Sequence, residues 1–213
     1  MRDGNPAPVT RLTDYRPPAW LVDHTALDVD LRDGHARVTA ELQVRRNPAR
    51  DDGPAELVLD GDHLELLSLR LDDRVLDEQD YRLDEGRLTV PGVPEHFTLV
   101  SEVRIHPESN TALEGLYRSN GMYCTQCEAQ GFRRITYFPD RPDVLSRFTT
   151  TIHADKAAYP LLLSNGNPVD SGDEEGGRHF ATWDDPFPKP CYLFALVAGD
   201  LACLEDSFRT ASG

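Results

Sequence analysis

Apolar residues in this chain recur at every second position, in short runs interrupted by turn residues about every 8 to 12 positions, and that period admits strands and excludes amphipathic helices. Leu27, Val29 and Leu31 alternate with Asp28 and Asp30. Arg32-Asp33-Gly34 then reverses the chain into Ala36, Val38, Ala40, Leu42 and Val44, which reads as a β-hairpin. The scheme repeats at Leu57-Val58-Leu59, a turn at Asp60-Gly61-Asp62, a strand over 64–71, a turn at Asp72-Asp73, and strands over 87–90 and 97–105. It continues with strands over 148–153, 161–164, 178–183 and 192–198, each bounded by Gly, Asn, Asp or Pro. No stretch sustains a 3.6-residue period. The pattern predicts an all-β antiparallel sandwich or barrel with little helix. One helical turn is expected over 143–147, where Pro142 suits a first helical position and Asp143 the positive end of the dipole. Pro6, Pro8, Pro17 and Pro18 make residues 1–19 a lead-in that propagates neither helix nor central strand.

Charge narrows the partners. The 213 residues carry 22 basic and 37 acidic side chains, a formal net charge of -15, which removes the electrostatic basis for binding phosphate backbones or anionic bilayers. Nucleic acid and membrane are therefore not expected as partners. The chain has no 18-residue apolar run and no apolar stretch after its first residues of the kind a secretory signal needs. Four cysteines are too few for a disulfide scaffold in a chain of this length, so reduced thiols in a cytoplasm are expected.

Candidate chemistry concentrates in residues 110–140. This segment holds Gly115, Gly121 and Gly131, with Cys124-Thr125-Gln126-Cys127 as a C-x-x-C. Paired thiolates at that spacing can hold zinc or cycle as a dithiol. A structural zinc site needs a second pair, and Cys191 and Cys203, 12 residues apart in apolar runs that read as strands, make a poor one. The dithiol reading lacks its βαβ context. Residues 170–177 lack the ligand spacing of a calcium loop and read as a solvated hairpin tip. None of the seven histidines precedes a Glu, so H-E-x-x-H is absent, as is G-x-S-x-G. Surface or structural roles are expected for His24, His35, His63, His96, His106, His153 and His179.

Several motifs in one order carry a resemblance. They are Asn110-x-x-Leu113-x-Gly115-Leu116-Tyr117, Thr125-Gln126-Cys127-Glu128-Ala129, Gly131-Phe132-Arg133, and Tyr137-x-x-Asp140-Arg141-Pro142-Asp143-Val144-Leu145. Leu163-Ser164-Asn165-Gly166 follows, then the run from Asp185-Pro186-Phe187-Pro188-Lys189-Pro190-Cys191-Tyr192 to Gly199-Asp200. Together they resemble the amino-terminal domain of the M1 family of zinc metallo-aminopeptidases, densely over 110–200 and by strand pattern before that. The resemblance implies a saddle-shaped antiparallel β domain over 1–200 and the start of a thermolysin-like catalytic domain over 201–213. It also implies a loop that reaches the active site, in which Gln126 and Glu128 bind the free α-amino group of a peptide substrate. A carboxylate in a partly desolvated site can distinguish an ammonium terminus from an internal amide by charge-assisted hydrogen bonding.

The family's zinc helix, its later Glu ligand and its transition-state Tyr have no counterpart in these 213 residues. The chain is therefore expected to bind no zinc itself, to be inactive alone, and to work with a catalytic domain that carries the metal. The rival expectation from another class is a free-standing β-sandwich binding module with no catalytic partner.

Overall fold

A computed structural model describes residues 11–50, 55–84 and 86–212, and residues 1–10 of the lead-in lie outside that description. Fifteen strands form, with five three-residue 3-10 turns and no α-helix among the described residues. The strands are β1 (Trp20–Arg32), β2 (His35–Arg46), β3 (Leu57–Asp60), β4 (Glu65–Leu71), β5 (Arg74–Val75), β6 (Arg82–Asp84), β7 (Arg87–Val90) and β8 (His96–Ile105). They continue as β9 (Gly115–Ser119), β10 (Met122–Gln126), β11 (Leu145–Asp155), β12 (Leu161–Ser164), β13 (Asn167–Glu174), β14 (Arg178–Pro190) and β15 (Leu196–Gly199). Three sheets result. Eight strands run β13-β14-β11-β1-β2-β8-β4-β5, four run β12-β15-β10-β9, and three run β3-β7-β6. The all-β fold read from the alternation is the one that forms.

Alternation translates directly into burial. Ala36, Val38, Ala40, Leu42 and Val44 of β2 are all buried, as are Phe97, Leu99, Val103 and Ile105 of β8, which pairs with it. In β1 the buried set changes phase, from Trp20 and Val22 to Thr25, Leu27, Val29 and Leu31. A register shift between Val22 and His24 absorbs the change, as a bulge does when it inserts one residue against a continuous partner.

Five expectations are corrected. The sheet is not wholly antiparallel, because β1 pairs with β11 in parallel, Thr25 opposite Phe148 and Val29 opposite Ile152. Parallel neighbours cannot be joined by a tight turn, and here the connection is the whole stretch from β2 to β10, which hydrophobic period alone does not reveal. The helical turn over 143–147 does not form: Val144 N–H donates to Arg141 O at 3.3 Å in a single turn and the chain is already extended at Leu145. The strand expected over 192–198 is a 3-10 turn at Cys191–Leu193 followed by the shorter β15. The hairpin tip expected over 170–177 is confined to the 3-10 turn Glu175–Gly177, because Asp170 to Glu174 already pair with β14. Lastly, Cys203 is exposed on a segment without regular structure beyond β15 and is not a buried strand residue.

One histidine is tied across the sheet. His153 on β11 meets Glu174 of β13 through Nδ1 at 2.8 Å and Asp28 of β1 through Nε2 at 3.1 Å, its ring tilted over Phe180. The hydrogen bond to Asp28, with further help from Glu174, holds its pKa above the ordinary imidazole value. Stabilisation from a raised pKa is full below the unfolded value of about 6.5 and is lost as pH rises through the folded one. His153→Gln should therefore lower the melting temperature more at pH 6 than at pH 9. A deficit that grows with pH would contradict the pairing.

Candidate functional site

The Gln126–Glu128 loop leaves the sheet at a place fixed from both sides. β9 and β10 are joined by Asn120-Gly121, both at positive φ (47° and 85°), the conformation of a two-residue type I′ turn that matches the strand twist. That Asn-Gly pair is a hairpin signal the sequence already carries. β10 has β9 on one side, with Gln126 opposite Gly115, and β15 on the other, with Cys124 opposite Val197. Leu196 N–H donates to Thr125 Oγ1 at 2.9 Å, one residue before the strand ends.

Beyond Gln126 the chain turns back at once. Gly131 N–H donates to Cys127 O at 2.8 Å, and a Cβ on Gly131 would stand 2.3 Å from Gln126 O and 2.9 Å from Gly115 N. Only glycine permits that approach of loop to strand. Phe132 then enters the core fully buried, edge-on to Phe138, Phe148 and Phe194 at centroid distances of 5.0, 5.9 and 5.3 Å. The following residues are pinned to β3 and the turn after it: Asp62 N–H donates to Arg133 O at 2.8 Å, and Asp60 and Phe138 exchange both backbone hydrogen bonds.

On this frame the two candidate residues sit together and outward. Gln126 Nε2 donates to the backbone oxygen of Glu128 at 3.0 Å, which leaves its Oε1 as an acceptor. Glu128 is exposed, and among the described residues its carboxylate makes no hydrogen bond or ion pair. An unspent anion beside a free amide oxygen suits a hydrogen-bonding cation.

The C-x-x-C gathers no ligand set around it among the described residues. Cys127 is buried beneath the loop and Cys124 half-buried on β10, all four cysteines are free, and among the described residues no three His, Cys, Asp or Glu side chains group to hold a metal. Two cysteines, one of them buried, make a donor set that does not fit zinc. Burial, helped by the nearby Asp140, pushes the Cys127 thiol up to about 12 and the Cys191 thiol upward as well. Thiolate is the reactive form. A thiol-specific disulfide reagent at pH 8 should therefore modify Cys203 fast, Cys124 more slowly, and Cys127 and Cys191 only after denaturation, to a total of four. A denatured total of two, or a burst of four from native protein, would contradict this arrangement.

An all-β domain that projects this loop from a four-stranded sheet defines the class. The chain belongs to the family described as the Peptidase M1 N-terminal domain, which matches residues 24–193. It is 55% identical to aminopeptidase N of Caulobacter vibrioides over the whole chain and 24% of that protein, and 52% identical to aminopeptidase N of Escherichia coli over 94% of the chain and 22% of that protein. Among solved structures, Legionella pneumophila aminopeptidase A in complex with aspartic acid superposes with a TM-score of 0.87 at 39% identity, over 91% of this chain and 23% of that one. The chain thus spans about a quarter of the length of the relatives it matches. The described residues contain no helix long and apolar enough to cross a membrane.

Proposed function

We propose that this domain supplies the amine anchor of a zinc aminopeptidase that removes amino-terminal residues from peptides, with Glu128 receiving the substrate's α-ammonium and Gln126 Oε1 assisting. The observation that carries the reading is the unpartnered Glu128 carboxylate beside a free amide oxygen, on a loop held at both ends. An ammonium offers three donors and no acceptor, so a carboxylate and an amide oxygen fit it, whereas an internal peptide nitrogen offers one neutral donor. The metal and its ligands belong to a thermolysin-like domain elsewhere in the protein, where zinc would polarise the scissile carbonyl and lower the pKa of bound water. Four free thiols support a reducing, cytoplasmic setting for the protein.

Two assays test this. The 213-residue chain alone, given zinc and an alanyl or leucyl chromogenic amide, should show no turnover above background. The longer M1 peptidase that carries the domain should hydrolyse the free-amine substrate and leave its N-acetylated analogue intact. Equal hydrolysis of both would remove the amine anchor from the reading.

A further inference from the structure

We propose that Asp140, clasped by Arg133, is a positioning residue for the Gln126–Glu128 loop, acting on the substrate amine through Glu128 without touching it. The inference rests on the reading of Glu128 given above. Asp140 is 4% exposed, and both its oxygens are engaged. Oδ2 accepts from the backbone N–H of Arg133 at 3.2 Å and from Arg133 Nε at 2.9 Å, and Oδ1 accepts from the Cys191 thiol at 3.1 Å. Its own N–H donates to Asp60 Oδ2 at 3.3 Å, and the Arg133 guanidinium lies 3.7 Å from the same Asp60 carboxylate.

These bonds join the two arms of the loop. On the outgoing side, Cys191 opens the segment that leads into β15, the neighbour that fixes β10 up to Thr125, one residue before Gln126. On the returning side, Arg133 stands five residues past Glu128, in the turn Phe132–Arg134. One buried carboxylate is therefore the common reference of both arms, and moving it would strand three donors. Within the loop itself the hydrogen bonds are Gly131 N–H to Cys127 O and Gln126 Nε2 to Glu128 O, so its aim is set from outside.

A double-mutant cycle in the longer M1 peptidase separates positioning from fold maintenance. Asp140→Asn keeps the shape, removes the charge and turns one of the two accepting oxygens into a donor, while Arg133, a quarter exposed, retains Asp60 and water as partners. It should lower kcat/KM on a free-amine substrate about tenfold, mainly through KM, as a small misplacement of a binding group does. In a Glu128→Gln background the same change should alter kcat/KM by less than about twofold, within ordinary additivity error. An equal loss in both backgrounds, or none in the wild type, overturns the positioning role and leaves the Glu128 anchor standing. No effect from Glu128→Gln alone brings down the anchor itself. Should Asp140→Asn not fold, Arg133→Lys, which keeps the charge and loses the Nε donor, runs the same cycle, with a smaller loss expected in the wild type and the same disappearance with Glu128→Gln.

Discussion

Replacing Glu128 with Gln in the longer M1 peptidase should reduce kcat/KM on free amino-terminal substrates by roughly ten- to a hundredfold. A charge-assisted hydrogen bond contributes about 1.5 to 3 kcal/mol, and each 1.4 kcal/mol is about tenfold in an equilibrium. The substitution keeps the side chain's shape and one oxygen acceptor, removes the charge, and turns the other oxygen into an amide donor that an ammonium cannot use. Gln126→Ala should cost less, because a neutral amide oxygen offers the weaker bond to the same ammonium. Neither change should shift the melting temperature appreciably, since both side chains are exposed and contribute nothing to the core. Unchanged kcat/KM, or loss of folding in place of loss of activity, would place the anchor elsewhere.

Phe132→Ala should have the largest effect on stability. The side chain is fully buried and meets three other aromatic rings edge-on. Truncating a buried Phe typically costs about 3 to 5 kcal/mol, the lost burial plus the cavity left behind. In a chain of this size each kcal/mol lowers the melting temperature by about 2 to 4 °C, so the isolated chain should melt roughly 6 to 20 °C lower. Because Phe132 is the residue by which the Gln126–Glu128 loop re-enters the core, the variant should also lose activity in the longer M1 peptidase if that loop anchors the substrate. A melting temperature within about 2 °C of the wild type would mean the aromatic cluster does not hold the loop.

Strands were legible wherever one face is buried, because the period of two then shows as alternating side chains: β2 and β8 could be read residue by residue. The parallel β1–β11 pair was not, since alternation reports burial and is silent on strand direction. Strand β14 runs past its expected end at Trp183 to Pro190, through Pro186 and Pro188. Prolines normally argue against a strand, but these two fall in a break of the β11 register, between Lys189 opposite Ser146 and Asp185 opposite Phe148. Past Asp184 the pairing with β13 has also ended, so no ladder hydrogen bond depends on the donors that Pro186 and Pro188 lack.

The candidate site divides in the same way. Gln126 and Glu128 stood out through a resemblance of motif, and Gly131 as one of three glycines in an unusual segment. Their physical support did not show, because it comes from distant residues: Asp60, Asp140 and Cys191 meet only in the folded chain, and Asp140 lies 51 positions from the thiol that donates to it. The C-x-x-C spacing admits a shared ligand set, yet Cys127 is buried, Cys124 is half-buried on β10, and among the described residues no further ligands group with them.

A crystal structure of the longer M1 peptidase with a free amino acid in its active site tests the amine anchor most directly. A Glu128 carboxylate oxygen and Gln126 Oε1 should each lie within about 3.2 Å of the ligand's α-nitrogen, hydrogen-bonding distance for a charged donor. An α-nitrogen held entirely by other side chains, with Glu128 turned into solvent, would contradict it.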